Sequence, residues 1–230
     1  MNRWKLFTWK ECLFLLGAAF FFFGCIATTH RSAKTLDPGQ FSLSGSYLRA
    51  ENLEEGDAEP VQLIALDSRF GLIRGLDMGF MHTWDVSKDN ENMYATYWGD
   101  FKVQLTNRDN ITGKPIFSLG LMKGHVYHED AKYHITTFSP MLSIPIDEYV
   151  TPFMIYRHEL IRQKKFLPDD FDDPRRMFVL GMEVNLLKPA PKRWIPKLGL
   201  SIGTYNSLDG GEGDDGLTLN FGLSIDSPQR

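Results

Sequence analysis

The feature that most constrains this chain is a two-residue periodicity that recurs in ten segments along it. In 94–105, Ala95, Tyr97, Phe101, Val103 and Leu105 fall on one side of an extended backbone. Thr96, Asp100, Lys102 and Gln104 fall on the other, together with Trp98. Side chains alternate across a strand, so this spacing gives the segment one apolar face and one polar face. The pattern repeats in 177–186, where Phe178, Leu180, Met182, Val184 and Leu186 oppose Gly181, Glu183 and Asn185. It repeats again in 217–225, where Leu217, Leu219, Phe221, Leu223 and Ile225 oppose Thr218, Asn220, Gly222 and Ser224. Segments 76–84 and 194–204 follow the same rule, and less regular versions lie near 40–50, 61–71, 115–123, 133–144 and 149–158. A helix of about two turns is expected only at 158–166, because no other stretch carries an apolar stripe of helical period. The chain is therefore expected to be all-β.

The polar face decides which kind of β protein this is. It is rich in Gly, Ser, Thr and Asn with occasional charges, whereas a soluble sandwich keeps its large apolar residues inside and its long charged ones outside. The mean hydropathy of −0.25 excludes a polytopic helical membrane protein. It leaves open a transmembrane barrel, whose strands are only half apolar. Connectors near 51–60, 85–93, 124–132, 159–175 and 206–216 are long, and those near 72–75, 106–114, 145–148 and 187–193 are shorter on average. Aromatic residues sit near strand ends: Trp84 and Tyr94, with Tyr127, Tyr133 and Tyr205, at one rim, and Tyr149 and Trp194 at the other. Amphipathic rings prefer that interface. In these respects the chain resembles small bacterial outer-membrane β-barrels. The resemblance implies a transmembrane antiparallel up-and-down barrel, most simply of ten strands within a range of eight to twelve. It also implies short periplasmic turns and longer extracellular loops. Two features run against it: Pro140, Pro152 and Pro196 fall inside strands, where each removes a ladder donor, and the chain ends without the terminal aromatic of many such barrels.

The first 24 residues read as an address. Arg3, Lys5 and Lys10 precede the apolar run 13–23, which is too short to span a bilayer as a helix. By composition alone a lipoprotein signal, an ordinary cleaved signal and a short anchor all fit. Phe22-Phe23-Gly24-Cys25 resembles the lipobox of bacterial lipoproteins. That resemblance implies acylation (palmitate among the acyl groups) at Cys25, and Ile26 after the cysteine implies sorting to the outer membrane. The expected organisation is signal peptide 1–24, lipidated polar tether 25–39, barrel 40–226 and tail 227–230. The expected site is the bacterial outer membrane, with the N-terminus anchored on the periplasmic side. Cys12 would leave with the signal, so a structural disulfide within one mature chain is not expected.

Chemistry is sparse. The formal net charge of −4 gives no electrostatic ground for a nucleic-acid partner. His125 and His128 lie beside Glu129 and Asp130 and are weak metal candidates, a solvated loop being the simpler reading. The acidic runs 168–174 and 209–215 lack the spacing of a calcium loop. No cofactor is expected. Outer-membrane lipid-modifying hydrolases place a Ser/His/acid set at the rim, and here His134 with Ser139 is the pair to weigh. Asp77, Asp100, Lys102, Arg157 and Glu183 are expected to point into the lumen, either as a salt-bridged plug or as the lining of a narrow pore. The leading reading is a non-enzymatic structural, adaptor or surface-interaction barrel, meeting outer-membrane lipid, lipopolysaccharide and a possible envelope protein. The alternatives are a narrow channel or transport accessory, a rim hydrolase, and a soluble periplasmic β lipoprotein binding an apolar ligand.

Overall fold

The computed structural model describes residues 31–52, 60–86, 95–128, 131–163, 174–190, 192–207 and 216–228. Ten strands account for most of them: β1 Phe41–Asn52, β2 Val61–Ile73, β3 Leu76–Asp85, β4 Ala95–Gln104, β5 Ile116–His128, β6 Ala131–Ser143, β7 Val150–Gln163, β8 Pro174–Asn185, β9 Ile195–Ser207 and β10 Gly216–Asp226. Each pairs antiparallel with its sequence neighbours, and β1 pairs with β10 to close the barrel. Closure leaves no strand edge unpaired, the condition for β structure in lipid. The alternation seen in the sequence becomes an outward apolar wall and an inward polar one. Leu66, Phe80, Phe101, Leu121, Leu180 and Leu223 are each about half exposed on the outside. Ser42, Ser44, Asp77, Thr83, Gln104, Ser118, Thr137 and Thr218 are buried within. An outer surface this apolar is unstable in water and stable in a bilayer. The molecule is a transmembrane barrel.

The three prolines expected inside strands sit where the ladder is interrupted or ends, and a fourth, Pro174, opens β8. The β6–β7 pairing runs from Tyr133↔Gln163 to Phe138↔His158 and resumes at Met141↔Ile155, passing over Pro140. Pro152 lies just beyond the last β6–β7 pair, where its carbonyl accepts from the Ile144 N–H at 3.1 Å. Pro196 lies just beyond the last β8–β9 pair and accepts from the Leu186 N–H at 2.8 Å. No ladder donor is lost from within a continuous run.

Three expectations change. The expected helix at 158–166 is absent among its described residues, because β7 continues to Gln163; 164–166 lie outside the described residues. The connector expected at 124–132 shrinks to 129–130, since β5 and β6 run on through a His-rich stretch whose polarity masks its alternation. Meanwhile 105–115 is a long, ordered turn at the end where β1 begins and β10 finishes, called the terminal end below. Asn107 organises it, donating to the Ile111 and Lys114 carbonyls at 2.9 Å each and accepting from the Ile111 N–H at 2.9 Å. Connector length therefore distinguishes the two ends less sharply than the sequence led us to expect. The third change concerns the tether. Residues 31–39, expected outside the barrel, are folded into its lumen at the end where β1 begins.

Candidate functional site: a plugged lumen

A polar segment can be buried only where its backbone and side chains find partners, and the inner wall supplies them. Arg31 donates to Ser42 Oγ at 3.0 Å and to Ser44 Oγ at 2.8 Å, and forms an ion pair with Asp67 at 3.0 Å. The Ser32 N–H and hydroxyl both donate to Glu183 at 3.3 Å. The Ala33 carbonyl accepts from the Ser118 hydroxyl. Lys102 Nζ donates to the carbonyls of Ser32 and Lys34 at 3.3 and 2.6 Å. Thr35 donates through N–H and Oγ1 to Gln104 Oε1 at 2.8 and 2.7 Å, while the Gln104 amide donates into the 105–115 turn. The Leu36 N–H donates to Asp77 at 3.2 Å. The segment thus touches β1, β2, β3, β4, β5 and β8 and lies across the lumen as a plug.

The plug fits because the lumen has two characters at this level. Ala33 packs with Ile116, Met141, Phe153, Ile155 and Val179 on the β5–β8 side. Arg31, Ser32 and Thr35 meet charged and hydroxyl groups on the remainder. Farther along the barrel a second apolar cluster, Leu48, Leu63, Ala65, Met81, Trp98, Met122 and Ile135, is buried on the inner faces of β1 to β6. Two small cavities of about 10 and 50 Å³ adjoin the plug, room for a few waters at most. A larger cup of about 620 Å³ opens outside it, between the plug and the turns at the terminal end.

The buried charges of the described residues balance: Arg31, Arg69, Lys102, Arg157 and Lys197 against Asp67, Asp77, Asp100, Glu183 and Asp226. Of the residues expected in the lumen, the structure brings Asp77, Asp100 and Lys102 together. Arg69 joins them, paired with Asp77 at 2.8 Å and with Asp100, while Lys102 lies 3.6 Å from Asp77. Glu183 lies in a separate group, where Lys197 bridges it at 3.0 Å and Asp226 at 2.7 Å. Arg157, fully buried on β7, lines the same small cavity as Arg69, Asp100 and Lys102. Glu159 shares its face two residues on, opposite Arg175 of β8. Sequence reasoning missed Arg31, Asp67, Arg69, Lys197 and Asp226 as lumen candidates, although Lys197 lies on the polar side of the alternating segment 194–204. The signal for Asp67 and Arg69 was their shared parity with Leu63 and Ala65, which is obscured because β2 mixes polar and apolar residues on both faces.

The remaining candidates fall elsewhere. Trp84 is exposed at the far rim, edge-on to His82 at 4.0 Å, and His82 stacks on Tyr97 at 4.2 Å. Tyr149 and Trp194 are exposed at the terminal rim. Beside Tyr149, the Glu148 carboxylate 2.9 Å from Lys188 holds that ammonium above the ordinary lysine range. Cys25 and Tyr94 lie outside the described residues. His125 faces outward on β5, and the His128 side chain lies outside the described ones. His125 instead meets His134 across the β5–β6 ladder at 4.4 Å. No cluster of three metal-ligating side chains occurs among the described residues. His134 and Ser139 are five apart on β6, so Ser139 is buried inside and His134 faces out. They cannot act as a nucleophile and its base.

No protein-family model and no curated protein matches the chain. Among solved structures it is similar to an outer membrane channel from Pseudomonas putida F1, at 10% identity over 87% of this chain and 99% of that one, with a TM-score of 0.44. It is also similar to a bacterial polysaccharide outer membrane secretin, at 10% identity over 86% of this chain and 100% of that one, with a TM-score of 0.33. The reading of the barrel rests on its own strand pairing and surface.

Proposed function

We propose that the chain is a sealed barrel of the bacterial outer membrane, anchored by an acyl group at Cys25 on the periplasmic side and serving a non-enzymatic structural, adaptor or surface-interaction role. One observation carries this reading: the plug lies across the lumen, and beyond it an apolar cluster on β1 to β6 narrows the interior. A conducting pore needs a continuous wet path, and a hydrophobic constriction excludes water even where no backbone blocks the way. The anchor is compatible with the plug. Residues 26–31, fully extended, reach roughly 20 Å from Arg31, which is enough to leave the lumen at the terminal end and meet the nearer leaflet.

The test is bilayer recording of the purified full-length protein, paired with metabolic acyl labelling. A closed barrel gives no unitary conductance, and Cys25→Ser abolishes the label without altering the barrel. Steady ion conductance from the intact protein would overturn the sealed reading. A label retained by Cys25→Ser would overturn the anchor. A second reading, a gated narrow channel, is favoured by the identity of the plug. It is a terminal segment that can withdraw without breaking a strand, and the balanced charges behind it would then line the path.

A further inference from the structure

Charged and imidazole groups are unevenly distributed over the apolar outer wall. On β3 to β8 no carboxylate among the described residues faces outward, and every outward charged or imidazole side chain there is basic: His82, Lys123, His125, His134, His158 and Arg176. All six lie in the half of their strands farther from the chain termini. Four of them fall together on β3 to β6, and the other two pair with each other on β7 and β8. His82 is the cross-strand neighbour of Tyr97, Tyr97 of His125, and His125 of His134. Lys123 lies one outward position below His125, and His158 pairs with Arg176. Around them the wall is lipid-like, with Phe80, Phe101, Leu121 and Leu180 exposed and Phe138 the exposed cross-strand neighbour of His158. The opposite wall, β9 to β2, differs: its Arg49 is paired with Glu51 at 3.0 Å.

We propose that this sector docks the phosphorylated glycolipid of the outer leaflet. Cations in the half of an apolar wall remote from the termini stand toward the headgroups of one leaflet, where each basic group adds attraction for an anionic lipid. With no carboxylate on the wall, the sector is complementary to phosphate. A neutral or cationic headgroup finds no partner there. The sector spans six adjacent strands, about 24 Å at the usual inter-strand spacing, and its two clusters of basic groups give a headgroup bearing two phosphates more than one place to bind. The one-sidedness makes it a docking sector instead of a uniform girdle. This assignment rests on the proposed outer-membrane orientation, in which the end remote from the termini lies in the outer leaflet.

The experiment uses the full-length protein in a neutral maltoside detergent and reads retained lipid by native mass spectrometry. The probes are diphosphorylated lipid A, its dephosphorylated form, and phosphatidylglycerol. The wild type is expected to retain the diphosphorylated form at least about tenfold better than the dephosphorylated one. The combined variant Lys123→Gln, His125→Gln, His134→Gln, Arg176→Gln is expected to lose that preference, while Arg49→Gln on the opposite wall keeps it. Should the combined variant fail to fold, Lys123→Gln with Arg176→Gln alone, both at exposed positions, still lowers retention several-fold. Equal retention of the phosphorylated and dephosphorylated forms, undiminished retention by the folded variants, or better retention of phosphatidylglycerol than of lipid A would each overturn the proposal. Heat-modifiable gel migration, run on the same samples, reports whether the barrel is intact. Its loss in the wild type would count against the membrane-barrel reading itself.

Discussion

Inside the barrel, large side chains are matched to glycines across strand pairs. Trp98 lies over Gly124, Phe153 over Gly181 and Tyr205 over Gly216; a Cβ at these glycines would come within 2.1 to 2.3 Å of the ring. A lumen this narrow fills with one big residue per pair because the facing position is empty. Gly124→Val therefore forces Trp98 out of place and is expected to cost about 1–3 kcal/mol, measured by urea unfolding in detergent. Arg69 is the other position where one residue holds several. It neutralises both Asp77 and Asp100 in a dry interior. Arg69→Met leaves two buried carboxylates short of a partner, with an expected loss of about 3–5 kcal/mol in the same assay. Replacing Asp77, Asp100 and Arg69 together by apolar residues of similar size should recover much of it. Failure to recover would show that the group's role is more than mutual neutralisation.

At the scale of elements, the plug and β2 are fitted through a single glycine. Gly71 and the plug exchange backbone hydrogen bonds: the Gly39 N–H donates to the Gly71 carbonyl at 2.8 Å, and the Gly71 N–H to the Gln40 carbonyl at 2.9 Å. The β2–β3 register shifts between Gly71 and Ile73. A Cβ on Gly71 would lie 2.1 Å from the Asp37 carbonyl oxygen, a backbone atom that cannot move aside alone. Gly71→Val is thus expected to dislodge the plug while leaving the ten-strand ladder in place. Protease protection of residues near 31–37 reports the displacement, and bilayer recording reports its consequence. The apolar cluster remains, so displacement without conductance is the expected result; conductance appearing only in this variant would favour the gated channel. The plug's burial was not legible in the sequence. Its polar composition describes a solvated tether equally well, and only the distant partners Glu183, Gln104, Asp77 and Lys102 distinguish the two.

At the scale of the molecule, the barrel is turned inside out relative to a soluble protein, and a charge tests each surface differently. Leu180 is 48% exposed on the outer wall. Leu180→Arg should cost about 2–4 kcal/mol if the residue lies near the bilayer midplane. Asn185 sits at the terminal end on the other face, donating to the Glu148 carbonyl at 2.7 Å. Arginine there reaches water, and a milder loss is expected in a lipid-reconstituted unfolding titration. Equal losses at the two positions would contradict the assignment of faces.

What the sequence determined by itself was the strand set and its two faces. Period two is a local property, so Asp77, Asp100, Lys102, Arg157 and Glu183 fall on the inner face by counting from their apolar neighbours. The apolar excess on the other face made lipid the solvent. The tertiary structure decided everything that depends on closure. Which charges meet, as Arg69 with Asp77 and Asp100 or Lys197 with Glu183 and Asp226, is set by register between strands far apart in the chain. Whether the lumen is open is set by where residues 31–39 go. The basic sector exists only because ladder pairing brings the imidazoles of β3, β5 and β6 into one cross-strand row, with Tyr97 of β4 between them. Local spacing fixes the side a residue faces; only pairing fixes what it faces.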